Sequence, residues 1–200
     1  MQNYDKIYSQ SNISGEIKPS QILGLIWKNF TKDGNVLDLG CGQGSDLLFL
    51  AQNNFKVVGV DNSEVAIKQI VDKATELNLD NVKAEKADVR EYIIEKDFFD
   101  VISCQNVLNF VSKEEAMKVI ESIKGTIKTG GYILIQVFTT EDPSISTENK
   151  FSSYFEPQEL LHMFDGFRLY YYLENTILDQ GHPGSESPHK HGVARIIVKK

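Results

Sequence analysis

Cysteine is scarce, with two in 200 residues, Cys41 and Cys104. Neither belongs to a CxxC pair, so there is no disulfide framework, and a reducing, cytoplasmic setting is expected. No apolar run approaches the ~20 residues that a membrane span requires. The opening residues MQNYDKIYSQ have no basic leader and no apolar core, so no signal peptide is expected there. No stretch is rich in lysine and arginine, and the formal net charge is −7. Proteins bind phosphate backbones by neutralising charge and releasing counterions. A nucleic-acid partner is therefore not expected. Internal repeats and low-complexity segments are absent as well.

The chain that remains has the length of one α/β domain over residues 1–200. It is long enough to bury an independent core. Apolar residues make up 41% and charged residues 24%, as in ordinary globular proteins.

Residues 1–30 read as an N-terminal cap and helix. Residues 1–16 are polar with scattered tyrosines and take no firm assignment. Pro19 can open a helix, and Ile22, Leu23, Ile26, Trp27 and Phe30 follow at helical spacing. From Val36 strands and helices alternate. Strands are expected at Val36–Leu39, Lys56–Val60, Val82–Ala87, Phe99–Ser103 and Tyr132–Phe138. Helices are expected at Asp46–Asn53, after a cap at Asn62 or Ser63, and after the capping box Ser112–Glu115. Residues 139–156 read as a polar surface loop or lid, followed by a short helix at Pro157–Met163. Two further strands, Phe167–Leu173 and Val193–Val198, flank a loop at 174–191. Alternating β and α units imply a parallel sheet covered on both faces. The last pair reads as an antiparallel hairpin at its edge. The tyrosines at 170–172 read as strand packing.

The densest signal is the run Val36–Gly44, VLDLGCGQG. An apolar strand runs directly into glycines at 40, 42 and 44. Glycine is required where a backbone turns tightly and where a ligand approaches the main chain. Asp61 ends the second strand, roughly 20 residues after the loop, where an acid can hold a ribose diol. The dinucleotide fingerprint GxGxxG is not met, because the third glycine comes one place early and position 45 is Ser. The P-loop lysine is missing too. A nucleoside cofactor without phosphates is the better match. Asp38, inside the first strand, would be costly to bury unpaired, and an ammonium group would suit it.

These residues resemble class I S-adenosylmethionine-dependent methyltransferases over roughly residues 20–140. Val36–Gly44 is similar to that family's first motif, including Gly40, Cys41, Gly42 and Gly44. Asp61 matches the ribose-binding acid, with Asn62 beside it. Ala87-Asp88-Val89 resembles the third motif, in which the acid meets the adenine amino group and Val89 lines the ring. Phe99–Phe110 resembles the fourth motif, with Gln105 near the methionyl end. The resemblance implies a Rossmann-like, seven-stranded, mostly parallel sheet of order 3-2-1-4-5-7-6, its seventh strand antiparallel. It implies S-adenosylmethionine as cofactor and S-adenosylhomocysteine as product. Asn106–Val111, Gly130–Asp142, Lys150–Pro157 and Val193–Lys200 are similar to the tellurite-resistance methyltransferases. That similarity implies a small-molecule or oxyanion acceptor. A monomer or homodimer is expected.

Three histidines, His182, His189 and His191, crowd the loop before the last strand. That loop overhangs the carboxyl ends of the parallel strands, where ligands bind in such folds. Three readings stay open: a solvated loop, an acceptor site, and a metal site. His182 precedes Pro183-Gly184 and is the candidate catalytic proton acceptor. Asn106, His189 and His191 are candidates for the acceptor. No cysteine or evident carboxylate completes a metal-ligand set, so no metal is expected. A nicotinamide-dependent oxidoreductase and a non-catalytic S-adenosylmethionine-binding module are the alternatives.

Overall fold

A computed structural model describes residues 4–13, 15–146, 151–180 and 187–200. Seven strands form one sheet: β1 (Asn35–Leu39), β2 (Lys56–Asp61), β3 (Val82–Lys86), β4 (Val101–Gln105), β5 (Tyr132–Phe138), β6 (Arg168–Asp179) and β7 (His189–Lys199). Their spatial order is β3-β2-β1-β4-β5-β7-β6. The first five are parallel, and β7 pairs antiparallel with both β5 and β6. Expected order and observed order agree.

Side chains alternate across a strand, and both faces of this sheet are covered, so its central strands are apolar on both sides. Leu37, Leu39, Ile102, Cys104, Ile133 and Ile135 form a core with Ala116, Val119, Ile120 and Ile123 of α5 (Lys113–Thr126). Their strand neighbours Val36, Val101, Tyr132 and Leu134 form the other core. There they meet α3 (Ser45–Gln52), α4 (Glu64–Glu76), and Ile22 and Leu23 of α2 (Gln21–Gly24). Helix α5 opens on the expected capping box, with Ser112 and Glu115 satisfying each other's backbone amides. Ser63 caps α4.

Four expectations are corrected. The single helix after Pro19 is instead the one-turn α2, a bend, and a 3-10 turn at Trp27–Asn29. Gly24 weakens a helix at that point, while Ile22, Leu23, Ile26 and Phe30 still reach the core. The fourth strand runs two residues later than expected, because the ladder with β1 starts at Val36 opposite Val101.

The third correction concerns residues 174–191, expected to be a loop. Most of the described part is β-ladder, with β6 and β7 paired from Arg168–Lys199 out to Asp179–His189. The polar run Glu174-Asn175-Thr176 hid the strand, since an edge strand buries little. The last β5–β7 pair is Phe138 with Val193. Four further β6–β7 pairs, beginning with Thr176–Gly192, extend the hairpin past the end of the parallel strands.

Lastly, residues 139–156 are not simply a solvated loop where they are described. Thr139 bridges Phe155, which is fully buried. Asn109 ties the segment down, its Nδ2 donating to the carbonyls of Phe138 (3.1 Å) and Ser153 (2.6 Å). A short helix, α6 (Glu159–His162), follows as expected. The N-terminus also acquires structure, as one turn of helix, α1 (Tyr4–Tyr8).

Candidate active site

The turn from β1 into α3 is left-handed at all three glycines, with φ of 71° at Gly40, 52° at Gly42 and 73° at Gly44. Space as well as dihedral angle demands glycine here. A Cβ on Gly40 would lie 2.2 Å from the Val107 side chain, and one on Gly42 would lie 2.9 Å from the Tyr8 hydroxyl. The amides of Gly40 and Cys41 both donate to the Val60 carbonyl, at 2.7 and 3.0 Å, pinning the loop to the end of β2.

Asp61 faces this loop. Its carboxylate accepts from the amides of Gly42 and Ser63, each at 2.9 Å. Burial raises its pKa, with backbone amide donors opposing the rise. Asp38, inside β1, is 8% exposed. Burial pushes its carboxyl up to about 7, the charges of Asp46 and Asp61 add to that, and the Ser103 hydroxyl opposes it. Asp46, in the first turn of α3, accepts from the Ser20 hydroxyl at 2.6 Å and from Gln105 Nε2 at 2.9 Å. Among the described residues, no lysine, arginine or histidine pairs with Asp38, Asp46 or Asp61. Three carboxylates beside an open backbone turn make a wall suited to a cation. Cys41 is no nucleophile there, since burial and Asp38 hold its thiol well above its ordinary pKa.

Helix α1 lies across the loop. Asp5 accepts from the Ser63 hydroxyl at 2.6 Å. Gln69 Nε2 donates to the carbonyls of Tyr8 (3.0 Å) and Ser11 (2.8 Å). Tyr4 meets Phe110 edge-on with ring centroids 5.4 Å apart. Burial and the Asp61 carboxylate raise the phenol of Tyr4 to about 12 and that of Tyr8 further still.

The other expected residues are placed less simply. Both Asp88 oxygens are engaged by Arg90 in a forked ion pair, which lowers the pKa of Asp88. The carboxylate expected to await an amino group thus already has a strong donor, because a residue two places along the turn can reach it. Asn62 is exposed just past β2, and Val89 is half-buried against the α5-side core. Gln105 ends β4, and its side chain turns to Asp46 and to the Ser103 hydroxyl (2.9 Å). Asn106 takes a left-handed φ of 58° and accepts at Oδ1 from Gln136 Nε2. His189 and His191 occupy the start of β7. His182 lies outside the described residues.

Sequence reasoning missed a polar row that the strand register assembles. Asp38 is level with Ser103, Gln105 with Gln136, and Gln136 with Arg195. Arg195, 7% exposed, donates from Nε to Gln136 Oε1 and from a terminal nitrogen to Gln21 Oε1. No carboxylate pairs with it among the described residues. A signal was available, since Gln136 interrupts the apolar run Tyr132–Phe138 and Arg195 the apolar run Val193–Val198. Asp179 was missed too. It sits opposite His189 and brings to the histidines the carboxylate that the local sequence does not show.

Comparison with known proteins gives this geometry a family. A family model described as "Methyltransferase domain" matches residues 30–176. The chain is 28% identical over 141 residues to the Haemophilus influenzae protein named "Probable S-adenosyl-L-methionine-dependent methyltransferase TehB", covering 70% of this chain and 48% of that protein. It is 30% identical over 164 residues to the Eikenella corrodens protein named "Hemagglutinin 1", covering 82% and 54% respectively. The chain thus spans about half the length of these curated relatives. The crystal structure of TehB from Haemophilus influenzae superposes with a TM-score of 0.80 at 23% identity, over 98% of this chain and 67% of that one, which shows a shared fold. The chain belongs to the methyltransferase domain family, whose cofactor is S-adenosylmethionine.

Proposed function

We propose that this chain transfers the methyl group of S-adenosylmethionine to a small acceptor at the carboxyl ends of the parallel strands. The observation that carries this function is the wall of Asp38, Asp46 and Asp61 beside the left-handed glycine loop, with no cationic partner among the described residues. That donor set fits a cofactor bearing a sulfonium and an ammonium. When bound, the cofactor supplies an electrophilic methyl group on a positively charged sulfur.

The chain's own residues then have distinct tasks. Gly40, Cys41, Gly42 and Gly44 present the backbone cradle. Asp61 accepts from the ribose hydroxyls, and Asp38 faces the methionyl ammonium directly or through water. Asn62 and Val89 line the adenine. Asp88 accepts from the adenine amino group through the Oδ2 lone pair left beyond the three that Arg90 uses, two with its guanidinium and one with its amide. Gln105 closes the methionyl end. Methyl transfer is an in-line displacement, so alignment and exclusion of water are the main demands. Tyr4 and Tyr8 of α1, with Phe110, serve the second demand. A soft acceptor atom needs no base, whereas an oxygen or nitrogen acceptor hands its proton to His182. Asn106, His189 and His191 face the acceptor. The buried Arg195 favours an anionic acceptor, including a tellurite-like oxyanion, and the net charge of −7 supports a small acceptor over nucleic acid.

Titration calorimetry with S-adenosylhomocysteine tests the assignment. Binding is expected, and Asp61→Ala should weaken it by about 1–3 kcal/mol through loss of a charge-assisted acceptor. A well-folded protein that binds no S-adenosylhomocysteine would overturn the function.

A further inference from the structure

A second cluster of chemistry-bearing side chains stands at the far end of the β6–β7 hairpin. Strand pairing sets His189 opposite Asp179 and His191 opposite Ile177. Residues two apart on a strand share a face, as do residues directly paired across a ladder. Asp179, His189 and His191 therefore leave the hairpin on the same side. One ligand atom from each lies within 4.8 Å of those of the other two. The two imidazoles stand edge to face with centroids 4.5 Å apart.

The way each ring is held is a separate observation. His189 Nδ1 lies 2.7 Å from the Ser187 carbonyl, and His191 Nδ1 lies 2.9 Å from Asp142 Oδ2. A carbonyl and a carboxylate only accept. The tautomer that donates from Nδ1 to these oxygens is the one that carries its lone pair on Nε2. A metal-ligating histidine is oriented in this way, one nitrogen donating to an oxygen and the other left to bind the ion. Asp142 is buried and also accepts from the Gly192 amide at 3.2 Å. A Cβ on Gly192 would lie 2.6 Å from the Asp142 nitrogen, so the strand and the Asp142 turn are in close backbone contact, which keeps that carboxylate against His191.

We propose that Asp179, His189 and His191 bind one divalent first-row transition ion through two imidazole nitrogens and one carboxylate oxygen. Imidazole ligands select ions such as zinc, cobalt and iron over magnesium and calcium, which take oxygen ligands. Three protein ligands leave coordination positions open. His191 stacks against Phe138 at 4.6 Å, which sets the ion beside the end of β5 on the acceptor side of the sheet. This site shares His189 and His191 with the proposed acceptor side, but it rests on the hairpin geometry, and metal binding is read without turnover.

The test uses the metal-free chain, titrated with Co²⁺ under visible absorption and with Zn²⁺ in a calorimeter. One equivalent of Co²⁺ should bind with d–d bands, and Zn²⁺ should bind with a Kd in the micromolar range or below. Asp179→Asn and His189→Ala, at half-buried positions that tolerate change better than buried His191, should each raise the Kd at least about tenfold while circular dichroism stays native. Absence of d–d bands, or a Kd left unchanged by the Asp179→Asn/His189→Ala double variant, would overturn the site.

Discussion

At the carboxyl of Asp38, burial and negative neighbours act in the same direction, and its folded pKa stands at about 7. The groups facing it are the Asp46 and Asp61 carboxylates, the Ser103 hydroxyl and the Cys41 and Cys104 thiols. An unfolded aspartate titrates near 3.9. Between those two values the folded protein holds a proton that the unfolded chain lacks. This group's contribution to stability therefore falls as pH rises from about 4 to 7, then stays level. A cation beside it favours the ionised form, so binding below pH 7 releases a proton. The Kd for S-adenosylmethionine should rise on going from pH 8 to 6, by up to about tenfold per unit below 7. Asp38→Asn should flatten that slope, and calorimetry in two buffers of different ionisation enthalpy reads the proton directly. Residues that needed only local context were legible in the sequence, namely the three glycines, Asp38 and Asp61. Residues that needed register were not. Gln136 and Arg195 are far apart in the chain and meet only because β5 and β7 pair. The Arg90–Asp88 fork was hidden for another reason, since spacing shows that an arginine is near but not where its side chain turns.

Among the elements, α1 has no fully buried residue and too few turns to persist alone. It holds through Asp5, Tyr4, Tyr8 and the partners of Gln69, most of them beside the cofactor loop. Such an element adds little to global stability and much to closure. A chain beginning at Ile17 should melt within a few degrees of the parent, yet bind S-adenosylhomocysteine roughly tenfold more weakly, about 1.4 kcal/mol. Equal affinity of the two chains in calorimetry would exclude a covering role. Strands β1, β2 and β5 and helix α5 were legible because apolar period, caps and glycine turns all agree there. The helix expected after Pro19 failed because its spacing of apolar residues suits a bent segment as well as a straight one. The hairpin was underestimated because alternation fades where both faces of an edge strand meet water.

For the whole molecule, ligand binding and folding are linked. A ligand that binds only the folded state at about 100 times its Kd adds about 2.7 kcal/mol. For a domain of this size that corresponds to a rise in Tm of roughly 5–10 °C. S-adenosylhomocysteine should produce that rise in differential scanning fluorimetry, and nicotinamide dinucleotides should leave the Tm unchanged. The sheet order was legible only through the family resemblance; composition and periodicity pointed to an α/β sheet with an antiparallel edge and no further. The residues proposed for the methyl donor and those proposed for the acceptor also fall in different stretches of the chain. The glycine loop and its carboxylates precede Asn106, while the projecting hairpin closes the sequence. Beyond Phe138–Val193 the ladder pairs of the described residues join β6 to β7 alone, while Gly192 and His191 are also tied to Thr139 and Asp142. Each ladder pair added or removed past Ile177–His191 changes the length of this ribbon by about 3.3 Å and leaves the register of the other five strands unchanged. Reach at this end is thus an adjustable length, and, under the proposed roles, descendants of this chain could change the acceptor they engage by editing one ribbon while the glycine loop and its carboxylates are inherited intact.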